Sequence, residues 1–166
     1  MDSQTSQRYT TLPFPSRIYK PGQGIHPRKD PNGLHIPEVP DSETPFGVDS
    51  WQDSQRYLYA IDLFNFGYWW EAHEVLEDLW IETGKTTELA QFIQAIIQIS
   101  AAFLKVSLDS RRGGYRLMTK AFPKLDLQTG IFLGIEVEAF QAEVKNYILD
   151  KITSPPHIVL SGLNDE

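Results

Sequence analysis

The chain has 166 residues, of which 41% are hydrophobic and 12% aromatic, with a formal net charge of −7 and no cysteine. That length suits one domain with a single core, and the composition is too apolar for a disordered chain. Without cysteine there is neither a disulfide framework nor a thiolate metal site. An acidic balance with no run of Lys and Arg speaks against nucleic acid and anionic membranes as partners.

Met1-Asp2-Ser3-Gln4 has no basic n-region, and no apolar h-region follows it, so a cytoplasmic location is expected. Eight of the eleven prolines fall within the first 45 residues. Proline removes a backbone donor and holds its predecessor extended, so residues 1–49 are predicted to be an irregular arm. Tyr9, Leu12, Phe14, Ile18, Tyr19, Leu34, Ile36 and Phe46 give that arm enough apolar surface to lie as a strap on a core. Turns are predicted at Pro21-Gly22 and Pro31-Asn32-Gly33.

A helical domain is predicted over residues 50–152. Its first helix starts at a cap on Asp49 or Ser50, runs to Glu82 and stops at Thr83-Gly84. A second runs from Thr87 to Leu108 and is apolar around most of its circumference, as a central helix would be. Its longest near-apolar stretch, Ala95 to Val106, is interrupted by Gln98, Ser100 and Lys105 and is shorter than the ~20 residues of a bilayer span. A third helix covers Tyr115 to Ala121 and is stopped by Pro123. A fourth covers Ile135 to Ile152, with Val137, Phe140, Val144, Tyr147 and Ile148 at helical spacing. Residues 153–166 are predicted to be a loose tail, although Ile158-Val159-Leu160 can pack. The expected fold is therefore all-α, a small up-and-down bundle of about four helices with a proline-rich arm packed on it.

Chemistry concentrates in Glu71-Ala72-His73-Glu74-Val75-Leu76-Glu77. At 100° per residue, Tyr68, Ala72, Val75, Leu76 and Leu79 share the core side, and Glu71, Glu74 and Asp78 share the opposite one. His73, Glu77 and Trp80 form the seam between. In a helix that begins near Ser50 these acids occupy the second half, where the macrodipole disfavours negative charge, and no Lys or Arg follows at i+4. They therefore need other partners.

His73-Glu74-x-x-Glu77 resembles the zinc-protease motif His-Glu-x-x-His with glutamate in place of the second histidine. Imidazole and carboxylate one turn apart are acceptable ligands for a divalent metal, given a further ligand from His26 or His35 on the arm. On the second helix Gln91, Gln94 and Gln98 recur at i, i+3 and i+7, with Lys105 on the same line. A short connection would make the first two helices antiparallel neighbours, with His73, Glu77 and the Trp80 indole as natural partners for these amides. Asn65 projects from the apolar side of the first helix and needs a partner there. Arg111-Arg112-Gly113-Gly114 has the makings of an anion site or of a plain helix-helix turn, and Trp69-Trp70 with Tyr68 reads as packing.

Phe64-Asn65-x-Gly67-Tyr68-x-Trp70-Glu71-Ala72-His73-Glu74-x-x-Glu77-x-x-Trp80 resembles the signature of Domain of Unknown Function family 309, a group of small all-helical proteins. Phe92-Ile93-Gln94-Ala95-Ile96-Ile97-Gln98 is similar to the family's Gln-Gly-x-Ile-Gln helix, with Ala95 where glycine is usual. Gly114-x-Arg116-Leu117-x-x-Lys120-Ala121 and Phe132-Leu133-Gly134-Ile135-Glu136-Val137 are similar to its later motifs. Pro21-Gly22 to His26-Pro27 and Asp30-Pro31-x-Gly33-x-His35 are similar to the extension of its longer members. Lys105 and Phe66 depart from the family's usual residues, and Phe66 stands where close relatives often carry histidine. The resemblance implies a helical bundle and brings no reaction with it.

Three functions are consistent with these residues. The first is a pocket between the first two helices that binds a small polar ligand through Asn65, Glu71, Glu74, Gln94 and Gln98. There His73 would transfer a proton or ligate, and Glu77 would orient it. The second is a structural polar network in a protein-interaction module, the chain being a monomer or a homodimer. The third is a hydrolase using a divalent metal on His73 and Glu77. Whether the chain is an enzyme is left open by its sequence.

Overall fold

In a computed structural model, residues 7–30, 36–40 and 42–163 are described. They form five helices and one two-stranded hairpin: α1 (Gln55–Asn65), α2 (Trp69–Glu82), α3 (Glu88–Ser107), α4 (Arg111–Leu125), β1 (Ile131–Phe132), β2 (Ile135–Glu136) and α5 (Val137–Ile148). The fold is mostly helical, as expected, with one helix more than predicted and a hairpin that helical periodicity does not signal.

The predicted first helix is two helices. Trp51–Asp53 is a 3-10 turn, and α1 begins only after Ser54, whose Oγ accepts from the Tyr57 N–H at 3.1 Å. The apolar pattern runs on through Phe66-Gly67-Tyr68, but Gly67 adopts φ +84°. The Tyr68 N–H then donates to the Leu63 carbonyl at 2.8 Å and the Gly67 N–H to that of Phe64 at 3.3 Å. These are the paired bonds of a Schellman C-cap, which needs a residue of positive φ at that point. The chain turns there and α2 starts afresh at Trp69.

Thr87 caps α3 through its Oγ1, which accepts from the Ala90 N–H at 3.0 Å, and Gly84 ends the preceding turn with φ +93°. α3 packs against α2 on one side and α4 on the other. By length and composition alone it could cross a bilayer. In this fold Phe92, Ile93, Ile96, Ile99 and Phe103 are fully buried along it.

α4 begins earlier and ends later than expected, with Pro123 inside its last turn. A proline there removes one hydrogen bond near an end where carbonyls are unsatisfied anyway, and burial of Ala121 and Leu125 holds the turn together. The region predicted to open a fourth helix is the hairpin. Ile131 pairs with Glu136 and Phe132 with Ile135 across Leu133-Gly134, both of positive φ, a type I′ turn. A Cβ on Gly134 would lie 2.7 Å from the Trp51 ring, so both backbone and space demand glycine there.

The arm and the tail both pack on the helices. The arm turns at Lys20–Gln23, with Gly22 at φ +79°, as predicted; the predicted turn at Pro31-Asn32-Gly33 lies outside the described residues. The tail, expected to be loose, is extended from Pro155 to Leu160. Ile158 and Leu160 are buried while Val159 faces solvent, the alternation of a strand-like segment.

Candidate functional site

The polar residues of the α1–α2 region fall into two groups, one buried beneath the arm and tail and one at the surface. Asp62, the lone acid within the apolar run Leu58 to Phe64, is fully buried. One carboxylate oxygen accepts from the Tyr9 N–H at 2.7 Å. The other accepts from the Thr10 N–H at 3.0 Å and the Thr10 hydroxyl at 2.7 Å, with the Arg8 Nε at 3.4 Å. Three short donors and a guanidinium offset the cost of burying the charge. The Arg8 guanidinium in turn sits 4.0 Å over the Phe14 ring. Asp62 was not among the sequence candidates. The available signal was an acid with apolar residues on both sides, which had to be either a break in the helix or a buried partner for something.

Glu71 is the clearest correction. It does not face solvent with Glu74 and Asp78 but is 1% exposed, with Oε1 accepting from the Tyr19 N–H at 2.9 Å. Because α2 starts at Trp69, Glu71 lies in its first turn, where the helix macrodipole favours a carboxylate. Burial still pushes its pKa up, against the lowering effect of the Tyr19 N–H and of its own backbone N–H. Oε2 is buried with no hydrogen-bond partner among the described residues. Above it Tyr19, His26 and Trp70 pack as a triangle of rings with centroids 5.0–5.4 Å apart.

Tyr59 and Tyr68 complete the seat of the arm, donating to the Pro13 carbonyl at 2.7 Å and the Pro15 carbonyl at 3.4 Å. Burial raises the Tyr59 phenol to about 12. Asn65 serves the tail, as its position on the apolar side required. Its Nδ2 donates to the Ile158 carbonyl at 2.8 Å and its Oδ1 accepts from the Ile158 N–H at 2.7 Å. Both halves of the amide are used by backbone, so Asn65 is a strut between α1 and the tail rather than a ligand-binding group.

At the surface, His73 Nε2 and Glu77 Oε1 are 2.9 Å apart and Glu74 Oε1 is 3.7 Å from His73 Nδ1, all on the half-exposed seam of α2. Glu71 and His73, two residues apart, leave opposite flanks of the helix. The glutamines do not converge on this pair. Gln98 Oε1 accepts from Lys124 Nζ of α4 at 3.0 Å, and Gln91 Nε2 donates to the Thr86 carbonyl at 3.3 Å. Gln94 is half-buried on the same stripe. The six-residue pocket expected between Glu71, His73, Glu74, Glu77, Gln94 and Gln98 is therefore not assembled.

His26 is packed against Tyr19 and Trp70, and His35 lies outside the described residues. Among the described residues no group of three or more His, Asp and Glu is placed to hold a metal ion. Arg111 does not open an anion site. It donates to the carbonyls of Tyr147 and Ile148 at 3.1 and 3.2 Å and pairs with Asp150 at 3.1 Å, so it caps the C-terminal end of α5. The glycines beside it serve packing, since a Cβ on Gly114 would sit 3.1 Å from the Ala102 carbonyl of α3. A cleft of about 540 Å³ does open beside α2, between the 36–39 segment and Glu74, Glu77 and Asp78.

Residues 57–117 match the model of a family described as Domain of unknown function (DUF309). The match begins within α1 and ends within α4, so the resemblance read from the signature holds across the Schellman turn, α2 and α3. No curated protein matches the chain.

Proposed function

We propose that this chain is a protein-interaction module in which the buried polar network is structural and the working surface is the outer face of α2, α3 and α4. One observation carries this reading. The side chains best suited to chemistry are tied to the arm: Asp62 gives both carboxylate oxygens to the N–H groups of Tyr9 and Thr10, and Glu71 gives Oε1 to the Tyr19 N–H while Oε2 stays buried away from solvent. A carboxylate fixed this way sets the register of the arm on α1 and α2. What remains at the surface is His73 with Glu77, the glutamine stripe and the cations of α4, a set suited to polar contacts over an area rather than to one enclosed reacting centre.

The test is photocrosslinking in cells. With Gln94 replaced by a benzophenone amino acid, covalent protein adducts are expected. The same residue at the exposed Lys145 of α5 should give none. Absence of adducts from position 94, or equal yields from both positions, would overturn the reading.

A second reading is favoured by the cleft beside α2. Its wall sets Glu38, Glu74, Glu77 and Asp78 against Arg56, beside Ile81 and Val75, a net-acidic lining that suits a small polar ligand with a cationic group, held by charge at one end and apolar contact at the other. A hydrolytic metal site on His73 and Glu77 has less support, because the arm histidine that would complete it within the described residues is held by Tyr19 and Trp70.

A further inference from the structure

Charge is segregated between the two helices that flank α3. Over Trp69–Glu82, α2 carries Glu71, Glu74, Glu77, Asp78 and Glu82 and no Lys or Arg. Over Arg111–Leu125, α4 carries Arg111, Arg112, Arg116, Lys120 and Lys124 and no Asp or Glu. Arg112, Arg116 and Lys120 are exposed and form no ion pair among the described residues. Connections of a few residues, 83–87 and 108–110, make the three helices consecutive antiparallel neighbours, so α2 and α4 run parallel on either side of α3. The stripe of α3 that reaches solvent between them is Gln91, Gln94, Gln98, Ala101 and Lys105. The bond from Lys124 to Gln98 ties the α4 border to that stripe, and Trp80, His73 and Glu77 border it on α2. Glu71 is buried under the arm, Glu82 turns to Phe46 and Arg56, and Arg111 caps α5. The charges left to the outer face are Glu77 with Glu74 beside it on α2, and Arg112, Arg116, Lys120 and Lys124 on α4, so it reads acidic, amide, basic.

Building on the interaction-module reading, we propose that the occupant of this face is a second copy of the chain, docked about a two-fold axis parallel to α3. That operation lays α3 on α3 and each α2 on the α4 of the other copy. A two-fold axis across the helices would instead lay α2 on α2 and α4 on α4, like charge on like. The charge order selects the axis. A polyanion is repelled by α2 and a polycation by α4. A partner complementary to the whole face carries both signs in matching order, and this chain does. Amides suit the middle, because each carries a donor and an acceptor and is complementary to itself. Three helices spaced about 10 Å apart and about 20–30 Å long present a face on the order of 700 Å², near the ~800 Å² per partner of a standard interface.

Sedimentation velocity on the full chain across a concentration series tests this. The wild type is expected to be a dimer, with Glu77→Lys and Lys120→Glu each weakening it by about tenfold or more. In an equimolar mixture of the two variants one α2–α4 contact regains opposite charges in reversed order and the other is native. The mixture is therefore expected to dimerise within a few-fold of wild type, and that rescue excludes misfolding as the cause of the single effects. A wild type monomeric at about 100 μM, a dimer indifferent to both reversals, or a mixture no tighter than either variant would overturn the proposal. A monomeric chain that still gives heterologous adducts from position 94 would overturn self-docking and leave the interaction module standing. A monomer with no adducts would overturn both.

Discussion

Asp62 of α1 accepts from both the backbone N–H and the hydroxyl of Thr10, at 3.0 and 2.7 Å, fifty-two positions away in sequence. Through that pair the arm is registered on the first helix. Removing the carboxylate leaves the N–H groups of Tyr9 and Thr10 without their acceptor in a buried site. Asp62→Ala is expected to lower unfolding free energy by about 3–5 kcal/mol, and Asp62→Asn by less, because one oxygen still accepts. Urea denaturation of both variants checks the order.

Glu71 gives a pH signature. Its folded pKa lies above the ordinary carboxylate value, so the folded state holds this proton more tightly than the unfolded chain. The stability this contributes is present in full below the ordinary carboxylate value and is lost as pH rises through the raised one. Glu71→Gln imitates the protonated form and does not titrate. The stability difference between wild type and Glu71→Gln should therefore shift in favour of the variant as pH rises across that window. Parallel stability curves would contradict the assignment.

Asn65→Ala is expected to cost about 1–3 kcal/mol and to speed amide exchange at Ile158, since the donor and acceptor of that buried backbone unit both lose their partner. Hydrogen exchange resolved by residue separates this local release from global destabilisation. If Ile158 exchange is unchanged while stability falls, the strut is not what holds the tail.

Gly134→Ala meets two obstacles at once, a positive φ and a Cβ placed 2.7 Å from Trp51. Its cost should exceed the roughly 1–2 kcal/mol of a left-handed alanine alone. Gly67→Ala, where the nearest atom is the Ile18 side chain at 3.9 Å, should stay near that figure. Thermal denaturation of the two variants side by side reads the difference.

Most helices were legible in sequence because apolar residues recur at helical spacing and because Thr87, through its hydroxyl, and Gly84, through its freedom to take positive φ, mark helix ends. What hid the α1–α2 break was that the apolar pattern continues through it. Only Gly67 marked the turn, and one glycine within a periodic run is a weak signal. From that single miss follows the misplacement of Glu71 in the macrodipole; its burial has another cause, since the arm lies over that flank of α2 and brings the Tyr19 N–H to its carboxylate. The hairpin was hidden for a different reason: strands of two residues have no period to detect. Asn65 was legible as a polar group in need of a partner, but its partner is more than ninety residues away, a distance no local pattern encodes. The His73–Glu77 pair needed only i, i+4 spacing and was found. Its lack of contact with Gln98 depends on which flank of α3 faces α4, where Gln98 meets Lys124.

The most direct test of the division between buried struts and an unencumbered surface is one denaturation series at neutral pH. It compares Asp62→Asn and Asn65→Ala with His73→Ala and Glu77→Gln. The first two are expected to lose about 1 kcal/mol or more, and the second two to stay within about 0.5 kcal/mol of wild type. A loss at Glu77→Gln as large as that at Asn65→Ala would contradict the account, because the His73–Glu77 seam would then be part of what holds the fold together.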